Sequence, residues 1–381
     1  MSDSAWLMRA PDITYLNDVY FGRGAAALVP ELLARYGVAR PLLVTDENLA
    51  AIGLSARLGL GPHAVYAGTE TNPGEASLRA CVARYWDAGC DGIVAFGGGA
   101  SLDLAKLAAM MTVHEPPLEQ YAIPAGGRSA RIKAPPPPLV AVPTTAGSGS
   151  EVGRAALLRL DSGRKRGFLS PLLLPRAAVC DPELTLSVPP RLTAATGMDA
   201  ISHCVEAYLS TRVNAVADAI ALEGLARGWR AIRRAVADGA DLEAREQMMH
   251  CALMGGLAFQ KSLGAVHSLS HPLGALGDAR LHHGTLNALF LAPVLRFNYE
   301  ACRPRLGALA CAIGLSAAGE VADAFERLVE ALGLPRRLRE LGVPREALAA
   351  LAPQAVEDHC SATNPRALGE REARQLYEEA W

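Results

Sequence analysis

Asp199 and His203 stand four residues apart in Thr196-Gly197-Met198-Asp199-Ala200-Ile201-Ser202-His203-Cys204-Val205-Glu206-Ala207. The stretch has helical periodicity, so both side chains are predicted to leave one helix face. His267 falls in a second predicted helix, Ala265-Val266-His267-Ser268-Leu269-Ser270-His271-Pro272, and His283 closes Leu281-His282-His283-Gly284. Three imidazoles and one carboxylate are enough to hold a divalent transition metal. Neutral imidazole and ionised carboxylate suit both Fe(II) and Zn(II), and four protein ligands still admit a substrate oxygen as a fifth. Taken singly, such residues are more often surface or hydrogen-bonded groups, and helical spacing alone does not separate the two readings.

Two loops in the first half offer a place for an anion. Gly97-Gly98-Gly99-Ala100-Ser101-Leu102-Asp103-Leu104-Ala105-Lys106 follows an apolar run and opens a helical pattern. Its glycines let backbone approach a phosphate, and the free amides and dipole of the helix start favour negative charge there. A tight strand-to-helix turn alone can also demand such glycines. The loop fits neither G-x-G-x-x-G nor G-x-x-x-x-G-K-[ST]. The second loop, Pro143-Thr144-Thr145-Ala146-Gly147-Ser148-Gly149-Ser150-Glu151, can line the other side of a cofactor cleft with hydroxyls and small residues. Asp46 is placed to accept hydrogen bonds from an adenosine ribose and to repel a 2′-phosphate, which favours NAD over NADP. An N-capping Asp is an equally ordinary reading of that residue.

These groups need a frame. The apolar runs at 41–46, 92–97 and 138–143 each end in Gly, Asp or Pro and precede a helical pattern, which predicts βα units around a buried parallel sheet. Ligands should gather at the carboxyl ends of those strands. The prolines at 135–138 lead straight into a strand and are taken as a stiff connection inside the domain. After about residue 181 the texture becomes Ala-, Leu- and Arg-rich, with helical spacing at 215–235 and 242–259. A Rossmann-like α/β domain over 1–185 and an all-helical domain over 186–381 are expected.

At 381 residues, half of them hydrophobic, the chain can bury two cores. A net charge of −2 gives no basic face for nucleic acid or an anionic membrane. No apolar run is long enough to span a bilayer, and Met1-Ser2-Asp3-Ser4-Ala5-Trp6 lacks the order of a signal peptide, so a cytoplasmic protein is expected. Eight cysteines without a Cys-x-x-Cys pair read as reduced and mostly buried. Cys204, next to His203, points about 100° away on a helix and reads as packing.

The GGGASLDLAK loop, the PTTAGSGSE loop, GMDAISHCVEAY, and VHSLSHPLGA followed by HHG resemble the iron-containing (group III) alcohol dehydrogenase family. The resemblance runs to Thr363-Asn364-Pro365-Arg366 near the C-terminus. It implies an active site in the cleft between a dinucleotide-binding domain and a metal-binding helical domain. The implied ligands are Asp199, His203, His267 and His283, and His271 falls on a histidine used in proton relay. Gly98, Gly99, Thr144 and Thr145 fall on phosphate-contacting positions, Ala100 and Ser101 continue that loop, and Lys165 falls on a lysine facing the cofactor ribose.

Three departures stand out. Ala100 replaces the family's usual Ser, Gly153 replaces a common Thr, and the segment between His271 and His283 is about two residues longer than usual. That extra length leaves His282 and His283 as alternatives for the fourth ligand, with His283 preferred because it precedes Gly284.

The expected chemistry is reversible hydride transfer between an alcohol and NAD, with Fe(II) or Zn(II) acting on the substrate oxygen. The expected partners are a small alcohol or carbonyl substrate and further copies of the chain, as a homodimer or higher homo-oligomer. The alternatives are a maleylacetate reductase-like oxidoreductase, a dehydroquinate synthase-like lyase using NAD and metal transiently, and a non-catalytic cofactor-binding protein. Phe259 and Leu263 fall on predicted helices near the site and read by default as core.

Overall fold

The computed structural model describes residues 17–123, 131–276 and 281–381. The segment 1–6 and part of the lengthened loop before His283 lie outside them. Strands β1 (Asp18–Phe21), β2 (Pro41–Val44), β3 (Ala64–Tyr66), β4 (Gly92–Gly97), β5 (Leu139–Pro143) and β8 (Ala177–Cys180) form one six-stranded sheet in the order β1-β8-β5-β4-β2-β3. Every pairing in it is parallel. Alternate residues feed opposite faces. Leu42, Val44, Ile93, Ala95, Leu139 and Ala141 enter one core, while Leu43, Val94, Phe96, Val140 and Val142 enter another.

Helices α1 (Val29–Arg35), α2 (Glu47–Ala51), α3 (Glu75–Asp87) and α4 (Gly99–Met111) connect these strands. Continuous apolar runs were therefore the right signal for β2, β4 and β5, since helices or loops cover both faces. Strands β6 (Ala155–Arg159) and β7 (Lys165–Leu169) form a separate antiparallel hairpin that places Lys165 opposite Arg159.

The second half is helical. It comprises α5 (Pro190–Leu209), α6 (Ala215–Ala237), α7 (Leu242–Ala258), α8 (Ala265–Leu273), α9 (His283–Ala312), α10 (Val321–Ala331), α11 (Leu348–Glu357) and α12 (Glu370–Ala380). Helix α5 is buried from Thr193 to Leu209, packed among α6, α7 and α9. Small residues allow that close packing. A Cβ on Gly284, at the start of α9, would stand 2.2 Å from the Ala195 carbonyl oxygen and 3.1 Å from Asp199 Cβ. Only glycine lets α9 meet α5 at the level of Asp199. Among the described residues no helix is long and apolar enough to cross a membrane. Of the eight cysteines, all but Cys311 are buried and all are free.

Candidate functional site

The carboxyl ends of β2, β4 and β5 open onto a cleft of about 700 Å³ whose far wall is built by α5, α8 and α9. Asp46, Gly98, Gly99, Ala100, Ser101, Thr144, Thr145 and Lys165 line it, as do Asp199, His203, His267, His271, His282 and His283. The structure thus gathers the residues proposed from the sequence for cofactor, metal and proton relay around one cavity.

On the sheet side, Gly98 caps α4 with no side-chain hydrogen bond, leaving the first amides of the helix free for a ligand. A Cβ on Gly99 would stand 2.8 Å from Ser148 Cβ, and one on Gly98 3.4 Å from Thr145 Oγ1, so the two loops face each other across bare backbone. Ser101 turns back beneath the turn, its Oγ 2.6 Å from where a Gly97 Cβ would lie. The Thr144 amide donates to Gly97 O at 3.0 Å, and the Ser150 hydroxyl donates to Asp103 Oδ1 at 2.6 Å. Asp46 does cap a helix: its Oδ1 accepts from the Leu49 amide at 3.0 Å while the residue lines the cleft. Lys165 Nζ donates to Asn72 Oδ1 at 3.2 Å, and burial pushes its pKa down despite the pull of Asp103, Asp199 and Asp358.

On the helical side, Asp199 Oδ1 lies 3.9 Å from His203 Nε2, 3.9 Å from His267 Nε2 and 3.8 Å from His283 Nε2. One ligand atom each from Asp199, His267 and His283 falls within a 4.8 Å cluster. Between the neighbours His282 and His283, it is His283 that reaches Asp199; His282 ends the preceding loop with a buried Nδ1 that has no hydrogen bond among the described residues. Burial holds His267 and His283 well below the usual histidine value, helped at His267 by the neighbouring imidazoles and at His283 by Lys165 and the imidazoles. Cys204 packs instead, its thiol toward Cys251 O at 3.7 Å.

Residues not singled out in the sequence complete the centre. Glu206 accepts the backbone amides of Val266 at 2.7 Å and His267 at 3.2 Å, and its Oε2 lies 2.6 Å from His267 Nδ1. A carboxylate already accepting two amides accepts the Nδ1–H hydrogen bond as well, which leaves the Nε2 lone pair facing Asp199. Asn287 Nδ2 lies 2.7 Å from Asp199 Oδ1 and 3.1 Å from both His267 Nε2 and His283 Nε2. An amide donor standing among three acceptors marks where their lone pairs converge. Spacing gave a signal for Asn287, one turn beyond His283 on α9, whereas the tie from Glu206 to His267 needs the fold.

These donors fit a divalent metal. They are neutral imidazoles and a carboxylate, buried, converging on one point, with one imidazole fixed from behind by an acid. His271 lies beside them. Its ring stacks on His283 at 5.3 Å, and its Nδ1 is 2.8 Å from Asp358 Oδ2. Burial works against ionising Asp358, yet the charge and hydrogen bond of His271 hold it well below the usual carboxylate range. With Nδ1 thus engaged, the other ring nitrogen of His271 is left for the cleft.

Comparison with known proteins agrees with this architecture over the whole chain. Residues 17–182 match the family "Iron-containing alcohol dehydrogenase", and 193–381 match "Fe-containing alcohol dehydrogenase family, C-terminal". The chain is 48% identical over 380 residues to 4-hydroxybutyrate dehydrogenase of Cupriavidus necator, covering 97% of this chain and 99% of that one. A crystal structure of 1,3-propanediol oxidoreductase superposes with a TM-score of 0.90 at 36% identity, covering 97% and 99%. Sulfoacetaldehyde reductase from Bifidobacterium kashiwanohense, solved in complex with NAD+, superposes with a TM-score of 0.85 at 28% identity, covering 96% and 98%. The parallel sheet, the helical half and the cleft between them are those of NAD-linked oxidoreductases, and the chain belongs to the iron-containing alcohol dehydrogenase family.

Proposed function

We propose that this dehydrogenase interconverts a primary alcohol and its aldehyde with NAD, and that short ω-hydroxy carboxylates are the substrate class to test first. The observation that carries the reading is the meeting of two sites in one cleft: bare amides at the start of α4, and converging donors from Asp199, His267 and His283. The likeness to 4-hydroxybutyrate dehydrogenase supports the substrate class.

In this reading Asp199, His203, His267 and His283 would hold Fe(II) or Zn(II), which would supply Lewis acidity for a substrate oxygen, and the cleft would hold a nicotinamide as the hydride carrier. The amides of Gly98, Gly99, Ala100 and Ser101, with Thr144 and Thr145, hold the pyrophosphate. Asp46 accepts from the adenosine ribose, so NAD is preferred to NADP. Lys165, steadied by Asn72, faces the second ribose. His271 accepts the alcohol proton in oxidation and returns it in reduction, oriented through Nδ1 by Asp358. Half-buried apolar walls at Val188, Leu192, Phe259 and Leu263 limit the access of water to the reacting atoms. The division of labour falls near residue 185, and the chain works in the cytoplasm as a homodimer or larger oligomer.

The test is NADH absorbance with 4-hydroxybutyrate, 1,3-propanediol and simple alcohols, before and after chelation, alongside elemental analysis of the purified protein. Activity that persists undiminished in rigorously metal-free protein would overturn the metal's role. NADP used better than NAD would overturn the assignment of Asp46.

A further inference from the structure

Gly153 lies against Phe259 in the wall beside His203. A Cβ on Gly153 would come 3.2 Å from Phe259 Cε2, a tight contact, and 2.9 Å from Cζ, closer than real Cβ contacts allow. Neither backbone is free to yield. The Gly153 amide donates to Ser150 O at 3.1 Å, and its carbonyl accepts from the buried Lys106 Nζ at 2.7 Å. Lys106 also donates to Ser150 Oγ at 2.8 Å and Ala155 O at 3.0 Å, so three points of this segment hang on one ammonium. Across the contact, Gln260 Nε2 donates to Val152 O at 3.0 Å, and the Phe259 carbonyl accepts the Ser262 amide at 2.7 Å. The ring is the part that can move. On its other side it meets His203 edge-on, with centroids 5.2 Å apart and planes at 66°, and it lines the cleft.

We propose that Gly153 sets the width of the substrate chamber by giving the Phe259 ring a seat against bare backbone, which keeps the ring out of the space beside His203. The proposal rests on the reading that an alcohol or carbonyl compound binds beside Asp199, His203, His267 and His283. A methyl at 153 drives the ring toward His203 and the cleft, where it takes up room that a bulky substrate needs and a small one does not.

The experiment measures kcat/KM for 1-propanol and for benzyl alcohol at saturating NAD, using the metal-loaded enzyme and its Gly153→Ala, Phe259→Ala and doubly substituted forms. In Gly153→Ala the benzyl-to-propyl ratio falls about tenfold or more, the scale of a mismatch of one or a few carbons in an apolar pocket. In Phe259→Ala the ratio rises. Adding Gly153→Ala to Phe259→Ala then changes the ratio by less than about twofold, because the ring that transmits the effect is gone. An unchanged ratio in Gly153→Ala, or an equal fall with and without Phe259, overturns the proposal while leaving the dehydrogenase reading intact. A wild-type enzyme inactive on every alcohol and aldehyde would remove the parent reading, and the proposal with it.

Discussion

His267 Nδ1 and Glu206 Oε2 lie 2.6 Å apart, in a helical core where neither side chain is more than 4% exposed. The acid belongs to α5 and the imidazole to α8, so one contact ties two helices together and aims His267 Nε2 toward Asp199. Burial pushes Glu206 up to about 7, and the Val266 and His267 amides pull the other way without cancelling it.

Glu206→Ala should therefore weaken metal binding about 10- to 100-fold, the usual effect of losing the acid behind a ligating histidine. Competition with a chelator, followed by metal analysis, measures it. Unchanged affinity would mean that His267 is oriented by packing alone.

Replacing His271 by Ala should lower kcat by about 10²- to 10⁴-fold, the range for loss of a positioned acid/base. Asp358→Asn should produce a smaller fall of the same kind, because it disturbs the orientation of the ring and leaves the imidazole in place. Steady-state kinetics in both directions tests the pair. If the two variants raised KM for the alcohol without touching kcat, His271 would be a binding group.

Glu151 is buried at the foot of the second loop, where burial raises it from 4.5 to about 7. A carboxyl whose folded pKa is raised contributes stability that is full below its unfolded value and is lost as pH rises through the folded one. The window is thus about pH 4.5 to 7. Glu151→Gln escapes that loss, and its stability relative to wild type should be greater at pH 8 than at pH 5 by about 2 kcal/mol. Denaturant melts at the two pH values check it, and a difference of the opposite sign would show that the charged form is well solvated.

Gly99→Val should raise KM for NAD roughly tenfold, equivalent to the loss of about one good hydrogen bond. The new side chain would meet Ser148, whose Cβ stands 2.8 Å from the position of a Gly99 Cβ. Fluorescence titration with NADH measures the effect apart from turnover. Undiminished affinity would place the pyrophosphate elsewhere.

Much of this molecule was legible in the chain because its signals are local. Strands β2, β4 and β5 are unbroken apolar runs, and α6 begins at Ala215 with the spacing expected of it. Strands β6 and β8 carry no such local signal: Ala155-Ala156-Leu157-Leu158 and Ala177-Ala178-Val179-Cys180 have as much helix as strand preference, and only pairing with β7, or with β1 and β5, decides them. At the site, Asp199 and His203 announce themselves by spacing and resemblance. The partnerships of Glu206 with His267, Asp358 with His271 and Asn72 with Lys165 span 61, 87 and 93 residues, and no local pattern encodes a contact made by tertiary folding.

The close approach at Gly284 has a thermodynamic corollary. Because Gly284 lets the start of α9 close onto α5 at Asp199, the proposed ligand His283 from one helix and Asp199 and His203 from the other would come into range when the helical half closes, and an ion bridging them would favour the closed form over any splayed one. Loading and folding are then linked equilibria: an ion present at 100 times its dissociation constant would add about 2.7 kcal/mol to the stability of the fold. Chains that acquire metal early would outlast those that do not, so the supply of the ion would govern how much enzyme survives as well as how fast each copy turns over.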